Sequence, residues 1–163
     1  MLVCISALVL SACGTQPVKQ ETPTSDSSEE TVTALSLGDS ATLEGALTLM
    51  REKNWKQALK PLKKLHKKYP RNDVIAVNLA SSYFAINDLK EAESVCNEAL
   101  ASNSNSEQAH TLFGLISVEK RNFTAAEAAY KKAINLNNNY ANAHYNLALL
   151  YDVFFQDIPK AYQ

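Results

Sequence analysis

Residues 79–100 read LASSYFAINDLKEAESVCNEAL, and the fold follows from them. Apolar residues recur at helical spacing on both sides of the polar pair Asn87-Asp88: Leu79, Ala80 and Tyr83 precede it, and Ala92, Cys96, Ala99 and Leu100 follow it. Asp88 is a good N-cap residue, and Glu91 three positions later completes a capping box. The segment therefore predicts two helices joined by a short turn, with the second helix beginning directly after Asp88.

The same pattern recurs every 34 residues along the chain. Four sets of residues keep that step: Ala46, Ala80, Gly114 and Ala148; Ala58, Ala92 and Ala126; Trp55, Leu89 and Phe123; Asn54, Asp88 and Asn122. A fixed period of this length is typical of a solenoid. The last set predicts N-caps at Asn54, where Gln57 completes the capping box, and at Asn122, which has no such partner. The small residues are expected where two helices cross so closely that only a hydrogen or a methyl group fits. Replacing Ala126 by Leu should therefore overpack the crossing and cost about 1–3 kcal/mol.

These motifs resemble the tetratricopeptide repeat (TPR) family. The residues that carry the resemblance are Leu79-Ala80, Tyr83, Ala92 and Ala99 in the second unit, Phe113-Gly114, Phe123, Ala126, Tyr130 and Ala133 in the third, Leu147-Ala148 and Tyr151 in the fourth, and a degenerate Gly45-Ala46, Trp55, Ala58 and Pro70 in the first. The resemblance implies an all-α solenoid of antiparallel helix pairs over residues 39–163. Its repeats would span about 39–72, 73–106 and 107–140, followed by a truncated fourth at 141–163.

Two features depart from the repeat pattern. Pro61 falls inside the predicted second helix of the first unit, where an interior proline costs about 3 kcal/mol unless the helix bends or starts late. The fourth unit has one extra residue around 154–156, since its matching alanine is Ala161 and the strict period requires position 160. That unit also stops early in its second helix, so we expect the sequence to be a fragment or to lack at least one closing helix.

The N-terminal segment resembles a bacterial lipoprotein signal. Residues 2–10 form an apolar run that is too short to span a bilayer, and it ends in Leu10-Ser11-Ala12-Cys13, the lipobox pattern. The resemblance implies a signal peptide over residues 1–12 and lipid on Cys13. The segment that follows is rich in Thr, Ser, Glu and Gln and has no aromatic residue, so its composition predicts a flexible linker over residues 13–38. The first basic residue is Lys19, so either the true start lies upstream or the signal is weak. The alternative is an ordinary secretory peptide in which Cys13 occurs by chance.

Composition and motifs exclude several classes of function. The chain has 16 Lys+Arg against 17 Asp+Glu and a net charge of -1, which argues against a nucleic-acid binder. We find no nucleophile–base pair and no metal-binding motif, so we expect no catalytic site, no metal, no cofactor and no small-molecule substrate. His110 and His144 are expected to be semi-buried packing residues, because helices about 8–10 Å apart hold two imidazoles too far apart to share a metal. Cys96 is expected to be buried and unreactive.

In the TPR family the first helices line a concave groove. The resemblance places eight residues in it: Leu47, Val77, Asn78, Phe84, Leu115, Tyr145, Asn146 and Leu149. This apolar lining suits a helix or extended segment of a partner, or equally a missing C-terminal helix of the chain itself. Asn78 and Asn146 would pair with a peptide backbone, or asparagine is simply common at this position. The Lys, Asn and Arg that clamp a terminal carboxylate in some TPR domains are absent, which argues against a receptor for chaperone tails.

Positive charge is concentrated in the first unit. It holds nine of the sixteen basic residues: Arg51, Lys53, Lys56, Lys60, Lys63, Lys64, Lys67, Lys68 and Arg71. In its second helix the apolar residues Ala58, Leu62, Leu65 and Tyr69 form an inward stripe, so the lysines are expected on the opposite face. That face is either simply solvated or attracted to anionic lipid or polymer, at up to about 1 kcal/mol per charge.

Together these features predict a non-catalytic, lipid-anchored TPR adaptor of the bacterial cell envelope that binds a protein or peptide partner. The expected location is the periplasmic face of the outer membrane. TPR lipoproteins include pilotins, envelope assembly factors, adaptors of cell-wall hydrolases and accessories of TonB-type systems, and residues 143–152 look most like the last group. Two alternatives stay open: a docking arm for an enzyme domain beyond residue 163, and a self-associating structural protein.

Overall fold

The structure, a computed structural model, describes residues 34–155. Within that range seven α-helices follow one another, and a π-helical turn (Tyr151–Phe155) continues the last of them: α1 (Leu37–Arg51), α2 (Trp55–Lys68), α3 (Asp73–Ala85), α4 (Leu89–Ser102), α5 (Glu107–Glu119), α6 (Phe123–Leu136) and α7 (Ala141–Leu150). Each helix packs against the next one in the chain. The predicted all-α solenoid of helix pairs is therefore confirmed. None of these helices is both long enough and apolar enough to cross a bilayer.

Several sequence predictions fall outside the described residues. These are the signal peptide over residues 1–12, the lipid attachment at Cys13, the linker as far as residue 33, and the alanine of the fourth unit, Ala161. The described chain begins just before α1, whose N-cap is Ser36. The Ser36 hydroxyl accepts a hydrogen bond from the Asp39 N–H at 3.2 Å.

The turn inside each helix pair has the same backbone geometry in all three complete pairs. Lys53, Asn87 and Arg121 have positive φ angles of 62°, 62° and 59°. The next residue donates its N–H to a carbonyl in the helix that ends at the turn. Asp88 donates to the Tyr83 carbonyl at 2.9 Å, and Asn122 donates to the Ser117 carbonyl at 2.8 Å. This arrangement is a Schellman motif, in which a left-handed residue ends the helix. Glycine is the usual residue there, and none of the three positions has one.

The residue that follows the left-handed position in each turn is also the N-cap of the second helix of the pair. The side chains of Asp88 and Asn122 accept hydrogen bonds from the N–H groups of Glu91 and Ala125, as the sequence predicted. Asn54 occupies the same position, but its side chain makes no cap bond. It donates instead to the Glu52 carboxylate at 3.1 Å. The predicted cap at Asn54 is therefore wrong, because an acidic neighbour that the other two turns lack binds its amide.

The columns of small residues lie at the helix crossings. Ala58, Ala80, Ala92 and Ala126 are completely buried, and Ala46 is almost so. At Gly114 even a methyl group has no room, since an added Cβ would lie 2.7 Å from Cδ1 and 2.8 Å from Cζ of Tyr130, and closer still to Cε1. Residues 16 positions after the equivalent Ala46 and Ala80 are the smaller Leu62 and Cys96. The third pair thus accommodates a large ring because it has the smallest residue opposite.

Cys96 lies inside the packed core, as predicted. It is completely buried, and its Sγ donates to the Ala109 carbonyl at 3.4 Å. Burial raises the pKa of the thiol to about 12, so the reactive thiolate is scarce at neutral pH.

α1 is joined to the end of α2 by a polar cluster. The Asp39 carboxylate accepts hydrogen bonds from the Lys68 ammonium and from the Tyr69 hydroxyl, the latter at 2.8 Å, and the Tyr69 oxygen accepts from the Ser36 N–H at 3.3 Å. The hydrogen bonds from Lys68, Ser36 and Tyr69 hold the pKa of Asp39 well below its usual range. The cluster fixes the start of the solenoid against the C-terminal end of α2.

Two departures from the repeat pattern are absorbed locally. α2 runs through Pro61 without ending there. The Gln57 carbonyl loses its helical donor, but Gln57 is exposed and water can replace that bond. In the fourth unit α7 continues into the π-helical turn Tyr151–Phe155. Because a π-helical turn holds more residues than an α-helical one, it agrees with the extra residue inferred near position 154.

Candidate functional site

The first helices of the four units form one continuous surface. α1 contacts α3, α3 contacts α5 and α5 contacts α7, whereas α2, α4 and α6 lie farther from one another. A row of helix pairs that is closer on one side curves toward that side, so the first helices line a concave groove. Three rungs of equivalent residues cross this groove: Leu43, Val77, Thr111 and Tyr145; Leu47, Ser81, Leu115 and Leu149; Met50, Phe84, Val118 and Asp152.

The eight predicted groove residues all retain some exposure to solvent. Tyr145 and Leu149 on α7 are the most open, with 69% and 42% of their surface exposed. The other six are half-buried: Leu47, Val77, Asn78, Phe84, Leu115 and Asn146. Val77 and Phe84 also pack against the core, so part of each side chain is already used in the fold. The open part of the groove therefore lies toward α7.

Besides Leu37 at the start of α1, three further exposed apolar residues were not predicted. Val74, Val153 and Phe154 expose 54%, 52% and 40% of their surface. Val74 precedes Val77 by three residues and Val153 follows Leu149 by four, so helical spacing from the predicted residues would have found both. Phe154 stacks on Phe123 with ring centroids 4.5 Å apart. Its position had no sequence signal, because it depends on the π-helical turn that ends α7.

The two groove asparagines hydrogen-bond to their own helices. The Asn78 amide donates to the Val74 carbonyl at 2.7 Å, and the Asn146 amide donates to the Asn142 carbonyl at 2.8 Å. Each bond uses one of the two amide hydrogens. The other hydrogen and the side-chain carbonyl oxygen are the groups that an extended peptide would have to meet. The predicted pairing with a partner's backbone stays a prediction.

The groove carries little charge. Among its twelve rung residues only Asp152 has a carboxyl group, and none is Lys, Arg or His. Thr111 is buried at the centre of the first rung, and its hydroxyl is one of two buried side-chain polar atoms without a hydrogen-bond partner in the described part of the chain. The chemistry of the groove is therefore that of an apolar surface with a few amides and hydroxyls.

The two equivalent histidines hold the turns between units. His110 hydrogen-bonds to the Ser104 carbonyl at 3.0 Å, and His144 to the Asn138 carbonyl at 2.9 Å. His110 is half-buried as predicted, but His144 is exposed. The prediction of semi-burial is wrong for His144 because it lies on the last described helix, where nothing that the structure describes follows to cover it. Across residues 34–155 we find no group of three His, Cys, Asp or Glu side chains that could hold a metal ion.

Comparison with known proteins finds the same repeats. A family model described as "Tetratricopeptide repeat" matches residues 49–116, and another described as "TPR repeat" matches residues 114–152. A comparison with the curated proteins finds no significant match.

Many solved structures share the fold. The first TPR of Spaghetti (RPAP3), bound to the HSP90 peptide SRMEEVD, is 23% identical, with a TM-score of 0.66 over 72% of this chain and 93% of that one. A thermophilic TPR protein of Thermus thermophilus is 24% identical, with a TM-score of 0.70 over 76% and 68%. PilF of Pseudomonas aeruginosa is 22% identical, with a TM-score of 0.68 over 76% and 56%. At these identities the likeness concerns the fold alone.

Proposed function

Because this chain is built from tetratricopeptide repeats and belongs to that family, we propose that it is a non-catalytic adaptor whose groove holds a segment of a partner protein. The observation that carries the proposal is the apolar surface on α7 and on the π-helical turn that continues it. Tyr145, Leu149 and Val153 follow one another at four-residue spacing and are all exposed. A contiguous exposed apolar stripe of this kind is typical of an interaction site.

The chemistry of the groove favours an apolar segment of the partner. The rung residues are mostly Leu, Val and aromatic side chains, which gain by removing apolar surface from water. The RPAP3 domain was solved with an acidic peptide that ends in Asp. Here the rungs have no basic side chain to meet such a terminus. We therefore expect an amphipathic helix or an apolar extended strand rather than an acidic chain end.

We further propose that the adaptor is lipid-anchored in the bacterial envelope, on the periplasmic face of the outer membrane. The support is the lipobox Leu10-Ser11-Ala12-Cys13 with the polar, aromatic-free segment that follows it. An accessory role in a TonB-type system is the preferred assignment, and a pilotin or an envelope assembly factor is the alternative. Replacing Cys13 by Ser should allow a high-salt wash to release the protein from membranes, whereas the unchanged protein should stay bound. A Cys13→Ser variant that stays equally bound after the wash would refute the anchor.

Site-specific crosslinking in cells tests the groove. A photoreactive phenylalanine analogue is placed at Tyr145, at Leu115 and, as a control, at Lys131 on the exposed side of α6. We expect one and the same protein to be captured from the two groove positions and not from Lys131. Capture should fall at least tenfold when Leu149→Asp is added.

A matched control separates loss of the site from loss of apolar surface in general. Leu37, at the start of α1, is 93% exposed and lies outside the rungs. Leu37→Asp should leave capture at Tyr145 unchanged. Equal loss with Leu37→Asp and Leu149→Asp, or equal capture from Lys131, would refute a groove adaptor.

A further inference from the structure

We propose that the outer face of α2 is a contact surface for anionic lipid headgroups, which orients the solenoid with its groove away from the membrane. The surface consists of Lys56, Lys60, Lys64 and Lys67, here called the lysine row. The proposal rests on the membrane location proposed above, but it does not depend on what the groove binds.

The lysine row lies on one face of a single helix, α2. Its members are spaced by four, four and three residues, which places them within a sector of about 80° on the helix surface. All four are exposed. The buried residues of α2, Ala58, Leu62 and Leu65, lie on the opposite side. The row therefore presents four ammonium groups along about 16 Å of one outward face.

No side chain of the described residues neutralises the charges of the lysine row. α2 contains no acidic residue. Neighbouring basic residues are engaged: Lys68 pairs with Asp39, Arg51 pairs with Glu44 at 2.8 Å, and Lys63 lies 5.0 Å from the centre of the Tyr83 ring. Within residues 34–155 no ion pair or hydrogen bond of the four row lysines is found. They are thus available to an external anionic surface.

The equivalent helices of the other repeats show whether the fold requires lysines at the positions of the lysine row. The positions equivalent to the row are Lys90, Ser94, Glu98 and Ala101 on α4, and Thr124, Ala128, Lys132 and Asn135 on α6. Both helices pack in the same way as α2 with at most one basic residue at these positions. The second helix of a repeat therefore does not need four lysines at these positions in order to pack or to be soluble.

The place of the row in the fold favours a membrane over a soluble partner. Asp39 near the start of α1 contacts Lys68 and Tyr69, so the chain enters the solenoid beside the C-terminal end of the row. A chain anchored through Cys13 would bring this end of the domain to the bilayer first. The first helices line the groove on the other side, so contact through α2 leaves the groove open to a partner. Each lysine close to an anionic surface contributes an attraction that is screened by salt.

Vesicle binding tests the proposal without the anchor. The full chain with Cys13→Ser is mixed with vesicles of phosphatidylglycerol and phosphatidylcholine, or of phosphatidylcholine alone, and the bound fraction is measured by sedimentation. Lys56→Gln, Lys60→Gln and Lys64→Gln together should weaken binding to the anionic vesicles about a hundredfold, or about fivefold per lysine. Binding to neutral vesicles should not change.

A variant of equal net charge is the control. Lys90→Gln, Arg121→Gln and Lys132→Gln remove three exposed cations from other helices and turns. These changes should weaken binding less than fivefold. Equal loss in both triple variants would overturn the proposal, as would equal binding to neutral vesicles. A soluble acidic polymer such as polyglutamate that binds the row more tightly than the vesicles do would assign the row to a polymer and overturn the lipid contact.

Discussion

Replacing Gly114 by Ala tests how closely the third helix pair is packed. Tyr130 is 1% exposed, so its ring cannot swing into solvent to make room for the added methyl group. The new Cβ would lie 2.7 Å from the Tyr130 Cδ1 atom. Overpacking of this severity costs about 3 kcal/mol. Alanine is the better helix former by about 1 kcal/mol, which offsets part of that cost. We expect a net loss of about 2 kcal/mol.

The matched control is Gly45→Ala on α1. Gly45 also lies inside a helix, but an added Cβ there would meet nothing within 4 Å. Only the helix propensity changes, so Gly45→Ala should stabilise the protein by about 1 kcal/mol. The two variants make the same chemical change with opposite expected signs. Thermal unfolding is followed by circular dichroism at 222 nm. Gly114→Ala should lower the melting temperature by roughly 4–8 °C, and Gly45→Ala should raise it by roughly 2–4 °C.

A second substitution identifies the cause. The first pair has Ala46 where the third has Gly114, and Leu62 where the third has Tyr130. Tyr130→Leu should therefore leave only the gain in helix propensity, so that Gly114→Ala stabilises the protein by about 1 kcal/mol in that background, with a coupling energy of about 3 kcal/mol between the two positions. A Gly114→Ala variant as stable as Gly45→Ala would refute the argument, as would an unchanged cost of Gly114→Ala in the Tyr130→Leu background.

Three further outcomes are expected. Arg121→Gly should raise the free energy of unfolding by about 1 kcal/mol in urea titrations, because glycine adopts the observed positive φ without strain. Asn87→Gly should raise it less, since asparagine tolerates that conformation. A larger increase for Asn87→Gly than for Arg121→Gly would contradict this reason. Thr111→Val should stabilise by about 1 kcal/mol, because it removes a buried hydroxyl that has no partner, and a loss of stability would show that the hydroxyl is satisfied. Asp39→Asn should lower the unfolding midpoint at pH 7. Because the pKa of Asp39 is lowered in the folded state, the difference in midpoint between the variant and the unchanged protein should shrink as the pH falls below about 4. A difference that does not change with pH would show that the carboxylate is not involved.

The sequence alone was sufficient for the helix pairs and for most of their ends. A 34-residue period places equivalent residues in equivalent surroundings, so one segment, residues 79–100, predicts the others. The caps at Asp88 and Asn122 followed from residue type, because an N-cap is a contact within four residues. The failed cap at Asn54 shows the limit of this reasoning, since the nearby Glu52 carboxylate binds its side chain.

The candidate groove was predictable as a set of positions but not as a surface. The repeat places Val77 and Tyr145 at equivalent sites, yet Val77 packs partly on the core whereas Tyr145 is 69% exposed. The difference arises because α3 has a first helix on either side of it, whereas among the described helices α7 has only α5. Exposure of a repeated residue depends on its neighbours in the stack, and sequence equivalence carries no such information.

The amino-acid sequence determined the period, the helix pairing and the columns of small residues, because each depends on local spacing along the chain. Only the tertiary structure showed how much space lies beside each of these small residues. At Gly114 the Tyr130 ring lies so close that an alanine would not fit. The tertiary structure also decided that Lys53 and Arg121 take a left-handed conformation, a strain that the packed helices on both sides impose. The four residues of the lysine row are visible in the sequence, but that no acidic side chain of residues 34–155 pairs with them is a property of the folded surface.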